Sequence, residues 1–158
     1  MSEAVKQEEL SRDPHTPVDL NGRFNFKVDS KGRVALPAKF RKVLSKDLIV
    51  TPDPRDECLY VFEVPAFNNW VETLFRDKFG GYKSTDALQV KLRRKLKARA
   101  SDVSVDTAGR IMLTPEARDT VDIDKDVVIV GNTGYFEIWD AKRYEQDDED
   151  VDLKLFYS

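Results

Sequence analysis

The chain has 158 residues, 41% hydrophobic and 35% charged, with a net charge of −3, a single cysteine and a single histidine. That length suits one domain, no apolar run nears the ~20 residues that cross a bilayer, and the first six residues lack a signal peptide's apolar stretch, so the expected location is the cytoplasm, with no membrane partner. The lone Cys58 excludes a disulfide framework and a multi-cysteine zinc site.

Residues 1–20 hold five acids against two bases, and the sequence reads as a disordered N-terminal extension. The histidine, His15, falls there between Pro14 and Pro17, a poor place to hold a general base, and is read as incidental. A first repeat is expected over 21–66. Phe24, Phe26 and Val28 alternate with Arg23, Asn25 and Lys27 as a strand, and Asp29-Ser30-Lys31-Gly32 forms a turn. The Asp side chain can bond the backbone that follows, and Gly supplies the left-handed conformation that closes the turn. A strand from Arg33 completes the expected hairpin, Pro37 opens a short helix, and Leu48–Thr51 and Leu59–Phe62 read as two further strands.

Two connecting helices are expected over 67–98. Phe67, Trp70, Val71, Leu74 and Phe75 share one helix face, which Gly80-Gly81 ends. Ser84 is the expected N-cap of the second helix, along which Leu88, Leu92 and Leu96 recur every four residues. Residues 91–99 of that helix carry six bases and no acid: a solvated surface, a second basic surface for nucleic acid, or a subunit contact.

The second repeat, 99–144, restates the first at an offset of 77 residues: Val105-Asp106-Thr107-Ala108-Gly109-Arg110 answers Val28-Asp29-Ser30-Lys31-Gly32-Arg33. Arg118 answers Arg41, and Pro115 opens the second short helix. The last stretch, 145–158, has six acids against Lys154 and reads as a disordered acidic tail, although Leu153, Leu155, Phe156 and Tyr157 could dock on the core or a neighbour. With both ends acidic, the stretch 21–144 is left at net +5, so an acidic total does not exclude phosphate binding.

Turn geometry accounts for Asp29, Gly32, Asp106 and Gly109 but not for the arginine that follows each turn. Arg33 and Arg110 are therefore the candidate base-reading or phosphate-clamping residues; the competing reading is a salt bridge to the turn Asp that only fixes the turn. Lys27, Lys31, Lys39, Arg41 and Arg118 complete the expected DNA-binding set. The first turn should dominate, because Ala108, Glu116 and Asp119 replace Lys31, Lys39 and Lys42. No catalytic constellation, metal cluster or cofactor motif stands out, so the chain is not expected to be an enzyme or to take a small-molecule substrate.

The paired Asp-x-x-Gly-Arg motifs, Leu36-Pro37-Ala38-Lys39-Phe40-Arg41 and Phe136-Glu137-Ile138-Trp139-Asp140 resemble those of the MraZ family, which carries two SpoVT-AbrB-type repeats. The resemblance implies an α+β fold with a pseudo-symmetric, swapped-hairpin, β-barrel-like core. It also implies a ring-shaped homo-oligomer at the nucleoid that binds tandem direct repeats in double-stranded DNA, as a repressor of the division and cell-wall gene cluster. The competing class is a protein-interaction module, antitoxin-like or a scaffold, on the same fold.

Overall fold

The computed structural model describes residues 16–158; the expectations for residues 1–15, His15 among them, lie outside the described residues. In chain order the elements are β1 (Arg23–Lys27), β2 (Arg33–Ala35), α1 (Ala38–Arg41), β3 (Asp47–Pro52), β4 (Leu59–Glu63), α2 (Val64–Phe79), α3 (Ala87–Ala98) and β5 (Ser101–Ser104). There follow β6 (Arg110–Met112), α4 (Pro115–Thr120), β7 (Asp126–Gly131), β8 (Phe136–Asp140), α5 (Ala141–Glu149) and a 3-10 turn, Leu153–Tyr157.

Six strands form one antiparallel sheet in the order β1-β7-β8-β4-β3-β5, and β2 pairs with β6 in a separate two-stranded ribbon. Exchanging each strand for its counterpart in the other repeat reverses the sheet order into itself, so a pseudo-two-fold axis passes between β8 and β4. The expected hairpins do not form. The 29–32 turn is made, with the Gly32 N–H donating to the Asp29 carbonyl at 3.0 Å, but β1 then pairs with β7 and β2 with β6 of the other repeat. β5 likewise joins β3, not β6. A three-residue strand has one inward side chain, and the exchange sets the two such residues, Val34 and Ile111, directly opposite each other at 0% and 1% exposure. The sheet also stays open, with β1 and β5 as its edges, so the barrel-like closure is not formed.

Alternation along the strands gives the sheet two apolar faces. Leu48, Val50, Leu59, Val61, Val127, Ile129, Phe136 and Ile138 point to a core shared by both repeats, which the ribbon residues Val34 and Ile111 and the short-helix residues Phe40 and Ala117 cover. The opposite face, at Ile49 and Phe62, is covered by Phe67, Val71 and Phe75 of α2, the face that the spacing predicts. Gly80, at φ 78°, ends α2: its N–H donates to Arg76 O at 2.9 Å and that of Gly81 to Phe75 O at 3.2 Å.

Three boundaries differ from expectation. α3 is capped by Asp86, whose Oδ1 accepts from the Leu88 N–H at 2.9 Å, not by Ser84, and its leucine row is left largely bare, with Leu88 59% and Leu92 39% exposed. α5 begins 77 residues after α2, so each repeat carries its own trailing helix and only α3 is a connector. The acidic stretch taken for a disordered tail is helical to Glu149 and again over Leu153–Tyr157. Residues 16–20, taken as part of a disordered extension, are seated: Val18 and Leu20 are buried, and the Leu20 N–H donates to Asn132 O at 3.1 Å.

Candidate nucleic-acid interface

With Val34 and Ile111 turned inward, the period of two puts Arg33 and Ala35 of β2 and Arg110 and Met112 of β6 on the outer face of the ribbon. The register pairs Arg33 with Met112 and Ala35 with Arg110. Sequence reasoning found both arginines but missed Met112, which is 46% exposed; the 77-residue offset that maps it onto Ala35 was the available signal.

Each arginine is held by its turn in the same way. Asp29 Oδ1 accepts from the Lys31 N–H at 3.0 Å and the Arg33 N–H at 2.8 Å, while Oδ2 accepts from Arg33 Nε at 2.9 Å. Asp106 Oδ1 accepts from the N–H groups of Ala108 and Arg110, both at 2.9 Å, and Oδ2 from Arg110 Nε at 3.1 Å. The carboxyls of Asp29 and Asp106 sit below the usual range because the backbone N–H of Arg33 or Arg110, and then the guanidinium, favour the charged form. The two halves meet here: Arg110 Nη1 lies 3.9 Å from Asp29 Oδ2. The salt-bridge reading and the binding reading are compatible, since bonding through Nε orients the guanidinium and keeps two terminal nitrogens as donors.

Arg41 and Arg118 take a place that the sequence did not suggest. A Cβ at Gly109 would lie 2.7 Å from Arg41 Cζ, and one at Gly32 would lie 3.0 Å from an Arg118 terminal nitrogen, so each arginine lies across the turn of the opposite repeat. Arg118 Nε also donates to Leu113 O at 3.3 Å. The ribbon is tied at both ends by backbone bonds of the same cross-repeat kind, Leu36 N–H to Gly109 O at 2.9 Å and Leu113 N–H to Gly32 O at 2.8 Å.

The lysines are more peripheral. Lys31 stands exposed on the first turn, Lys27 is 4.0 Å from Asp126 on the neighbouring strand, and Lys39 Nζ donates to Asn21 O at 3.3 Å. Among the described residues no helix is long and apolar enough to cross a membrane, and no group of His, Cys, Asp and Glu is placed to hold a metal ion.

The sequence matches the family described as "MraZ protein, putative antitoxin-like" over residues 20–88 and 96–153, two segments that each take in the trailing helix of a repeat. Similar proteins include the transcriptional regulator MraZ of Lachnoclostridium phytofermentans, 36% identical over 82% of this chain and 86% of that protein. Those of Sodalis glossinidius and Shewanella oneidensis are 32% and 31% identical, over 81% and 80% of this chain and 84% and 83% of theirs. These relatives are named as regulators, not as enzymes. Two diverged copies of one strand-exchanged unit, matched along both segments, make this chain a member of the MraZ family.

Proposed function

We propose that the protein is a DNA-binding transcriptional regulator that lays the outer face of the β2–β6 ribbon in the major groove. The observation that carries this reading is the pair Arg33 and Arg110, on one face of a two-stranded ribbon and each oriented by a turn carboxylate. A two-stranded ribbon fits the major groove, and an arginine there can bond guanine O6 and N7 together for about 1–3 kcal/mol of discrimination. Met112 beside them suits a thymine methyl. Lys31 and Lys27 supply phosphate contacts, and Arg41 and Arg118 act chiefly by holding the turns.

The names of the relatives support a role in transcription. The finer reading follows the family: a swapped-hairpin unit in a ring-shaped oligomer, repressing the division and cell-wall genes from tandem direct repeats at the nucleoid. Several ribbons at fixed spacing would raise avidity by ~10²–10⁴ over one ribbon. A mobility shift with the DNA upstream of the protein's own gene, at two salt concentrations, tests the reading. Arg33→Ala should nearly abolish the shift, and Lys31→Ala should weaken it evenly across sequences and flatten the salt slope by about one. Unchanged binding by Arg33→Ala would overturn the site, and no shift by the wild type would favour a protein-interaction module.

A further inference from the structure

α2 and α3 enclose a groove of about 540 Å³, with Leu74, Phe79, Leu92 and Leu96 among its walls and Lys78 and Lys95 at its rim. Arg99, also at the rim, is held by Asp56 at 2.5 Å. Leu92, 39% exposed, opens onto it from a helix whose residues 91–98 hold five bases and no acid. The same chain carries the complementary object. Its 3-10 turn presents Leu153, Leu155, Phe156 and Tyr157 at 75%, 76%, 84% and 97% exposure, beside a stretch, 145–158, of net charge −5. Single exposed apolar residues are ordinary, but four within five residues at a helical turn make a patch that marks a contact.

We propose that the α2–α3 groove of one copy receives the C-terminal segment, 150–158, of a second copy. Apolar walls with a cationic rim match an apolar turn that follows an acidic run, with five acids over residues 147–152; a phosphodiester backbone would satisfy the rim and leave the walls bare. A copy's own α5 lies on β7 and β8, with Glu145 paired to Arg23 on the edge strand β1, but its Arg143 Nη1 also donates to the carbonyl of Asp56, which lines the groove, so the copy's own tail is the competing occupant that the cross-link has to tell apart. Such a contact joins two different surfaces, so it propagates from copy to copy and closes into a ring or extends as a filament, according to the rotation between neighbours. It deepens the oligomer part of the proposed function and is independent of DNA contact.

Cysteine cross-linking of the full chain tests it without DNA, since Cys58 is 2% exposed and gives the wild type as a silent control. Leu92→Cys chains mixed with Phe156→Cys chains and treated with a short bismaleimide should yield a two-chain adduct that neither variant gives alone. Lys78→Glu with Lys95→Glu should cut the yield at least fivefold, and Phe156→Asp should lower the mass seen by light scattering while the circular dichroism stays unchanged. Cross-linking only within a doubly substituted chain, or no adduct with an unchanged mass for Phe156→Asp, would overturn the proposal. Loss of the adduct with an intact mobility shift would fault this contact alone, and the reverse result would fault the DNA reading alone.

Discussion

Alanine at the two turn glycines separates a turn-holding arginine from a DNA-contacting one. Gly109 has φ 77° and Gly32 φ 85°, a region that costs an ordinary L-residue about 1–2 kcal/mol, so both substitutions begin from that loss. The surroundings then differ. At Gly109 the three atoms nearest to a Cβ all belong to the Arg41 side chain, with Cζ at 2.7 Å and Cδ at 2.8 Å, and a side chain can swing aside. At Gly32 the nearest is the Leu113 carbonyl oxygen at 2.9 Å, which is backbone and already accepts from Arg118 Nε. Gly32→Ala should therefore be costlier than Gly109→Ala by at least about 1 kcal/mol, in the range of backbone strain at tightly held sites. In an Arg41→Ala background, Gly109→Ala should retain only its backbone cost, with a coupling of about 0.5–1 kcal/mol; Gly32→Ala in an Arg118→Ala background should keep most of its loss. Urea unfolding, with midpoints compared at constant m, measures all six variants. Equal losses at the two glycines, or a Gly109→Ala cost unmoved by Arg41→Ala, would refute the cross-repeat packing and return Arg41 to the phosphate-contact set.

Ile111→Ala empties a site 1% exposed at the centre of the shared core and should cost about 2–5 kcal/mol by urea unfolding, whereas Met112→Ala, one residue on and 46% exposed, should cost well under 1. The native carboxyls of Asp29 and Asp106 titrate below their ordinary value of 3.8, so their stabilisation is complete above that value and disappears as pH falls through the lower native one. The stability gap between wild type and an Asp29→Asn, Asp106→Asn double variant should thus be flat above about pH 5 and close below about pH 4; a gap that closes near neutrality would contradict this. Burial, reinforced by the neighbouring carboxylate of Glu137, pushes the Cys58 thiol upward, so it should resist a disulfide reagent at pH 8 in the native protein and react on unfolding.

The repeat itself was legible because both copies kept the residues that a tight turn requires, and α2 was legible because Phe67, Val71 and Phe75 face one way on sixteen helical residues. What the sequence hid was partner choice. Strand propensity in Arg33–Ala35 is indifferent to which neighbour supplies the hydrogen bonds, and the decision rests on burying Val34 against Ile111, a contact 77 residues away. Ser84 and Asp86 are equally good caps by type, and only the fold makes the later one the start of α3. The acidic stretch looked disordered because its composition is polar, yet Asp140 caps α5, with Oδ2 accepting from the Arg143 N–H at 3.4 Å, and Arg143 Nη1 donates to the Asp56 carbonyl at 3.0 Å, which anchors the helix. Of the candidate site, the arginine after each turn was readable from what turn chemistry left unexplained. The cross-turn positions of Arg41 and Arg118 were not, because they depend on the exchange.

That exchange also sets the order of events on the ribosome. β1 has no lasting partner until β7 emerges: Phe24 waits 105 residues for Ile129, about 5–20 s at ordinary elongation rates. Throughout that interval the amino-terminal half displays an edge strand and an unclosed apolar face, the form in which it could pair with another nascent chain instead of its own second half. Fusing the two copies in one polypeptide keeps the correct partner tethered at high local concentration, so a chain interrupted at α3 should give two fragments that fold only together.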